Sequence, residues 1–296
     1  MNFKKRIKWE IRKFLIDHYP KLIIDHEWPH QYGHKVDWNN PRNVNEKMQW
    51  LICYSDTTEW TRLADKYRVR EFIKEKGYEN LLIPLLGVWK NPEEIDFDSL
   101  PKKFVLKCNH DSASTKIIDK DKGFDKEALI EFYKKKLSIK YGYKSCEPHY
   151  NKMTPLVVAE EFLEENNGFR SLNDYKFWCN NGKVDYVSVM YDRTSESVCE
   201  TVYDIDWNAH PEFLKSYGKY KSEDRILPRP QKLNEMVEIA KELSKGFPIV
   251  RVDLYEVNGK IYFGEMTFTP TAGRMGYEEP FLIELGNRTI LPKKHK

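Results

Sequence analysis

Apolar and polar positions alternate most regularly over residues 247–268, FPIVRVDLYEVNGKIYFGEMTF. The pattern predicts two strands joined by a tight turn at Asn258-Gly259. Side chains of a strand alternate between faces, so Arg251, Asp253 and Tyr255 share one face and Val250, Val252 and Leu254 the other. The face of Glu265 depends on the turn. A two-residue loop pairs Asp253 with Gly264 and leaves Glu265 on the apolar side. A type I turn with Gly259 as a left-handed bulge pairs Glu256 with Lys260, Arg251 with Glu265 and Asp253 with Phe263. Val252, Leu254, Tyr262, Gly264, Met266 and Phe268 then make one apolar face, and this cleaner register is the expectation.

Elsewhere the periodicity predicts helices over 3–17, 43–54, 65–76, 126–138 and 231–245. Asp65 is the expected N-cap of the third of these and Gly77 its stop. Strands are expected over 81–89, 103–108, 115–118, 155–163, 174–180 and 183–191, the last two joined by a second Asn-Gly turn at Asn181-Gly182. Residues 26–41 read as a polar, aromatic connector. His26, His30 and His34 follow a helical spacing there, but Pro29 and Gly33 interrupt it, so packing or solvated histidines are expected and not a metal site.

In the first helix Phe3, Ile7, Ile11, Phe14 and Leu15 form a stripe, and Lys4, Lys5, Arg6, Lys8, Arg12 and Lys13 crowd the remainder. An apolar stripe facing the core of its own domain is the expectation. The alternative is peripheral contact of residues 3–17 with an anionic membrane. This helix precedes the candidate site residues and is expected to be dispensable for chemistry.

Length and charge narrow the field. A chain of 296 residues supports a substantial core in one large domain or two. With 49 Lys plus Arg against 46 Asp plus Glu, the balance argues against nucleic acid as the main partner. No apolar run approaches the roughly 20 residues that span a bilayer, and no secretory signal pattern is present. The five cysteines are far apart without a Cys-x-x-Cys pair, which disfavours structural zinc and a disulfide framework. The expected compartment is the cytoplasm. A dinucleotide glycine motif, a P-loop and a G-x-S-x-G elbow are all missing.

The charges inside apolar runs carry the candidate chemistry. Asp253 and Glu265 with Arg251 beside them suit a divalent cation shared with phosphate oxygens, the alternative being a solvated strand face with one ion pair. Lys107 sits in the apolar strand KFVLKC, where a lysine is costly without an anionic partner, and Lys66 follows the cap at Asp65. Glu160 and Glu161 end the apolar strand LVVAEEFL, and free backbone groups there, beside Phe162 and Leu163, suit an adenine edge. Asp174 and Lys176 share a face of the next strand, fit for ribose hydroxyls and phosphate oxygens.

In this order the segments resemble the ATP-grasp superfamily, and more closely its TupA-like family of teichuronopeptide and capsular polysaccharide biosynthesis. The resemblance is carried by NPRNVNEKMQWL, ADKYRVREFI, FVLKCNH, NDYKFWCNNGK, VRVDLYEVNGKIYFGEMTFTP and ELGNRTILP, and spans residues 40–291. It implies an α+β fold with mixed, largely antiparallel sheets and a nucleotide site between two α+β subdomains. The expected divisions are an N-terminal helix and connector over 1–40, a helical part over 41–100, a lid subdomain over 101–165 and a large subdomain over 166–296. ATP would be bound by Lys66, Lys107, Ser114, Glu160, Glu161, Leu163, Asp174 and Lys176, magnesium by Asp253, Glu265 and Thr267, with Arg251 and Lys107 catalytic.

Two departures stand out. Thr267 replaces the usual metal-site asparagine, and the loop after Asn109-His110 lacks the expected glycine while Asp111 adds negative charge. The implied reaction activates a carboxylate as an acylphosphate and joins it to an amine, with small-molecule or glycan substrates. An ATP-grasp kinase and a capsular glycosyltransferase are the alternatives. For the latter, Asp204-Ile205-Asp206 is an Asp-x-Asp match, expected to be loop acids.

Overall fold

The computed structural model describes residues 3–165, 168–216, 218–223 and 225–295. Helix α1 (Phe3–His18) turns at Tyr19 into α2 (Pro20–Tyr32). The expected connector over 26–41 is therefore helical as far as Tyr32. Pro29 falls in the last turn of α2, and the buried Ile23, Ile24 and Trp28 hold its inner face. Gly33 ends the helix with φ +73°, its N–H donating to the Pro29 carbonyl at 2.9 Å. The stripe of α1 also departs from expectation. Phe3, Ile7, Ile11 and Phe14 are exposed, while Arg12 and the fully buried Ile16 lie on the side that packs.

Helices α3 (Val44–Tyr54), α4 (Thr58–Leu63) and α5 (Val69–Glu75) follow. Asn43 caps α3 by accepting the Glu46 N–H at 3.0 Å. Asp65 does the equivalent ahead of α5, accepting the N–H groups of Tyr67 and Arg68 at 2.9 and 3.1 Å.

Strands β1 (Leu85–Trp89), β2 (Lys103–Cys108) and β3 (Lys116–Asp119) precede the helices α6 (Lys126–Leu137), α7 (Gly142–Ser145) and α8 (Pro148–Asn151), and β4 (Val157–Glu161) comes after them. These strands form an antiparallel sheet in the order β1-β4-β2-β3. Alternation along β2 buries Phe104, Leu106 and Cys108 against Leu129 and Tyr133 of α6. The opposite face carries Val105, Lys107, Val158 and Glu160, the side on which the candidate lysine stands.

The second sheet contains β5 (Asp174–Asn180), β6 (Lys183–Tyr191), β7 (Val198–Asp204), β8 (Tyr220–Ser222), β9 (Ile249–Val257) and β10 (Lys260–Thr267), in the order β10-β9-β5-β6-β7-β8. Among the described pairings between its strands, β7–β8 alone is parallel. Helix α9 (Leu233–Leu243) packs its apolar face on β5, β6 and β9, and α10 (Glu279–Arg288) packs on α3. Phe281 of α10 reaches the edges of the Trp178 and Tyr186 rings.

The terminal hairpin corrects the expected register. Asn258 and Gly259 both take positive φ, +51° and +74°, which is the two-residue type I′ turn, and Lys260 pairs with Val257 instead of Glu256. Left alone, that register would put Glu265 on the apolar side. A bulge at Gly264 prevents it: Phe263 pairs with Leu254, Glu265 with Asp253 and Thr267 with Arg251. A Cβ on Gly264 would lie 3.0 Å from the Asp253 carbonyl oxygen, so a side chain would crowd the backbone where the strand kinks. The apolar face then consists of Val250, Val252, Leu254, Ile261, Phe263, Met266 and Phe268, with Ile261 and Phe263 in place of Tyr262 and Gly264.

Candidate active site

Register across three strands assembles the site. Lys176 of β5 lies opposite Asp253 of β9, and Asp253 opposite Glu265 of β10. The adjacent row runs Trp178, Arg251, Thr267. Two adjacent acids, Asp253 and Glu265, are therefore flanked by the cations Lys176 and Arg251 on the face turned away from α9. Arg251 donates to both Asp253 oxygens at 2.7 and 2.8 Å, and to Glu265 Oε1 and Thr267 Oγ1 at 3.2 Å each. Lys176 Nζ bonds Asp253 and lies 2.7 Å from Asp174 Oδ2. Asp174 Oδ1 is buried without a partner, an open acceptor at the edge of the cluster.

The fields are strong because Lys176 and Asp253 are buried and Arg251 is largely so. Burial alone would raise the Glu265 carboxyl, but Lys66, Arg251, Lys176 and the Thr267 hydroxyl together hold it well below the usual carboxylate range. Burial would lower the Lys176 ammonium, and Asp174 and Asp253 hold it above its ordinary value. For Asp253, burial outweighs its two cations and the carboxyl is pushed up.

Lys66 ties this cluster to the other sheet. Its Nζ donates to the Asp111 carbonyl at 2.5 Å and stands 3.6 Å from Glu265 Oε2, while its own N–H donates to the Asn109 carbonyl. Asn109, buried after β2, donates to Asp65 Oδ2 at 2.7 Å and to Thr154 O at 3.0 Å, and accepts the Leu156 N–H at 2.7 Å. The loop without a glycine is thus pinned at its start. Asp111 turns its carboxylate to the Ser114 hydroxyl and to Lys136, 3.8 Å away, leaving its carbonyl on Lys66.

Lys107 stands 2.5 Å from Glu160 Oε2, and Arg70 lies 3.4 Å from Oε1 of the same carboxylate. The apolar strand supplies its own partner for the lysine. The Glu161 N–H donates to Pro84 O at 3.1 Å, Leu163 is half-buried just past β4, and Ser114 is buried with its hydroxyl bonded to Asp111 and the Cys108 N–H. One cluster therefore holds Lys66, Asp174, Lys176, Arg251, Asp253, Glu265 and Thr267. Lys107 and Glu160 form a second pair on the small sheet.

Residues with no role in the sequence reading complete the surroundings. Arg70, a turn beyond Lys66 in ADKYRVREFI, was the legible one. A chain of bonds runs from Trp178 Nε1 to Ser188 (2.9 Å), between Ser188 and the Tyr277 hydroxyl (3.2 Å), and from Tyr277 to the buried Glu200 (2.6 Å). Asp204, from the Asp-x-Asp match, accepts the N–H groups of Asp206 and Asn208 at 3.0 and 2.8 Å and so closes a turn.

The donor set fits magnesium in kind, since two carboxylates and a hydroxyl are hard oxygen ligands. Asp253 is 2% exposed and enclosed by cations, whereas Glu265 is 31% exposed, so Glu265 is the reachable oxygen donor. Among the described residues no group of three or more His, Cys, Asp or Glu is gathered as a complete metal cage.

Solved structures with a similar fold include the D-alanine–D-alanine ligase of Bacillus anthracis complexed with ATP, at 16% identity and TM-score 0.45 over 79% of this chain and 64% of that one. Another is the ATP-grasp ligase PsnB complexed with minimal precursor, at 13% identity and TM-score 0.41 over 80% and 63%. The chain spans less than two thirds of the length of either. No curated protein matches it. The model of the family described as TupA-like ATPgrasp matches residues 46–288, a span that takes in every site residue above, and the chain belongs to that family.

Proposed function

We propose that the protein uses ATP and magnesium to activate a carboxylate as an acylphosphate and joins it to an amine, in the cytoplasmic assembly of a cell-surface polysaccharide. The observation that carries this reading is the row Lys176, Asp253, Glu265, a cation beside two neighbouring acids, with Arg251 laid along it. Phosphoryl transfer asks a protein for positioning and charge neutralisation and not for a nucleophile, and this cluster offers both.

In the proposed reaction a carboxylate oxygen of the substrate attacks the γ-phosphorus and ADP leaves. The amine nitrogen then attacks the acyl carbon, inorganic phosphate leaves and the amine loses a proton. Lys66, Lys107 and Lys176 neutralise phosphate oxygens, and Asp174 takes ribose hydroxyls through its unpartnered oxygen. Backbone beyond Glu161, near Leu163, receives the adenine edge. Arg251 stabilises charge on the acylphosphate and the tetrahedral intermediate. Asp253, Glu265 and Thr267 would hold magnesium, which when bound would supply neutralisation of phosphate charge.

The test is release of ADP and phosphate from ATP and magnesium across pairs of uronic acids and amines. Phosphate release that requires both members of a pair is the expected result. A phosphorylated hydroxyl product without free phosphate would make it a kinase, and a sugar-nucleotide requirement without ATP a glycosyltransferase. Either would overturn the ligase reading.

A further inference from the structure

We infer that α1 and the start of α2 form a docking surface for an anionic lipid bilayer. The sequence favours an apolar stripe turned inward, yet the fold turns it out. Phe3, Ile7, Ile11 and Phe14 are 75%, 44%, 53% and 56% exposed, and Tyr19 and Leu22 continue the surface at 55% and 54%. The helix is fixed in this orientation from the other side. Ile16 is fully buried, and Arg12 donates to the Tyr143 carbonyl at 2.9 Å and the Lys144 carbonyl at 3.1 Å and pairs with Glu27. Tyr143 returns a bond to Asp17 at 2.7 Å.

Charge identifies the occupant. Helix α1 carries six basic side chains against two acidic ones, and Lys4, Arg6 and Lys8 are exposed around the stripe. Helical spacing places Lys4 and Lys8 along one border of the stripe and Arg6 along the other. Lys140 and Lys144, also exposed, add to the positive field at this end of the molecule. A second copy packed through the stripe would bring these cations against their own counterparts. An anionic headgroup layer over hydrocarbon accepts both the cations and the apolar side chains. No described helix is long and apolar enough to cross a membrane, so the contact is peripheral.

The inference does not rest on the ligase reading, because vesicle binding is measured without turnover. Full-length protein is sedimented with vesicles of phosphatidylcholine, or of phosphatidylcholine with about one third phosphatidylglycerol. Binding to the anionic vesicles only, weakened by added salt, is expected. Ile7→Asp/Ile11→Asp and Lys4→Glu/Lys8→Glu should each reduce the bound fraction about tenfold or more, at unchanged melting temperature. If the aspartates lower helicity, the lysine variant alone is read. Equal binding to neutral and anionic vesicles, no binding to either, or wild-type partition of the variants read would overturn the inference. So would a dimer that dissociates in the Ile7/Ile11 variant while vesicle binding is absent.

Discussion

At the scale of single residues, two glycines of one hairpin have different duties. Gly259 holds φ +74° in the turn with open space around it, so a side chain there strains the backbone and touches nothing else. Gly264 sits in the bulge against the Asp253 carbonyl and the Tyr255 ring, both 3.0 Å from an added Cβ. Gly259→Val is expected to lower stability by about 1–3 kcal/mol in urea titration while the folded fraction keeps full turnover. Gly264→Val should lower stability to a similar degree and also abolish turnover, because straightening the bulge swings Glu265 to the apolar side. Equal specific activity in the two variants would show that the bulge does not set the site. Asp253→Asn and Lys107→Ala are each expected to reduce ADP release by about two to three orders of magnitude, since each removes one fixed charge at the transferring phosphoryl group. Wild-type-like release in either would remove that residue from the site.

At the scale of elements, what the sequence shows and what it hides divide along physical lines. Strand and helix periods are local, so β2, β5, β6, β9, α3 and α6 are readable from alternation and helical spacing. The gathering of Asp253, Glu265 and Arg251 on one face was also readable, although the means was not. A bulge at Gly264 answers to the pairing of two whole strands and leaves no distinct local mark, whereas Asn258-Gly259 marks its turn plainly. The outward stripe of α1 was hidden for a related reason: periodicity shows that a face is apolar and not what it faces. Contacts far apart in sequence were equally out of reach. Thr271, Ala272 and Gly273 stand consecutively in left-handed conformation, φ +51°, +57° and +65°. They are held there by α3, whose Gln49 donates to the carbonyls of Ala272 and Gly273 at 2.9 and 3.1 Å, while Asn45 exchanges two bonds with the Met275 backbone at 3.1 Å. A Cβ on Gly273 would fall 2.5 Å from the Gln49 amide nitrogen. Gly273→Ala is therefore expected to cost about 1–3 kcal/mol in thermal or urea unfolding, and Gln49→Ala a smaller amount. A neutral Gly273→Ala would mean that the loop relaxes independently of α3.

At the scale of the whole molecule, the N-terminal region is more than an appendage. Ile16, Ile23, Ile24 and Trp28 enter the same core as α3, α9 and the six-stranded sheet, so removing residues 1–25 would open that core and is no clean test of membrane contact. Buried ionisable groups also make the stability of the whole fold depend on pH. Glu147 is 3% exposed, its carboxylate accepting the Thr269 hydroxyl, and burial raises its pKa to about 7. The unfolded chain titrates this group near its ordinary value of 4.5. Between about 4.5 and 7 the folded state therefore holds a proton that the unfolded state has lost, and stability falls as pH rises through that window. His149, next but one in sequence and also buried, acts in the opposite sense. Burial lowers its pKa to about 3, so stability falls as pH drops below its ordinary 6.5. Glu147→Gln keeps the shape and removes only the first effect. Relative to wild type, the variant should gain about 3 kcal/mol between pH 4.5 and 8, on the order of 1.4 kcal/mol per pKa unit. Urea unfolding of both proteins at matched pH measures that difference with the His149 contribution cancelled. A stability difference that stays constant across the window would mean that Glu147 is ionised at its ordinary pKa and finds water or a cation in the fold.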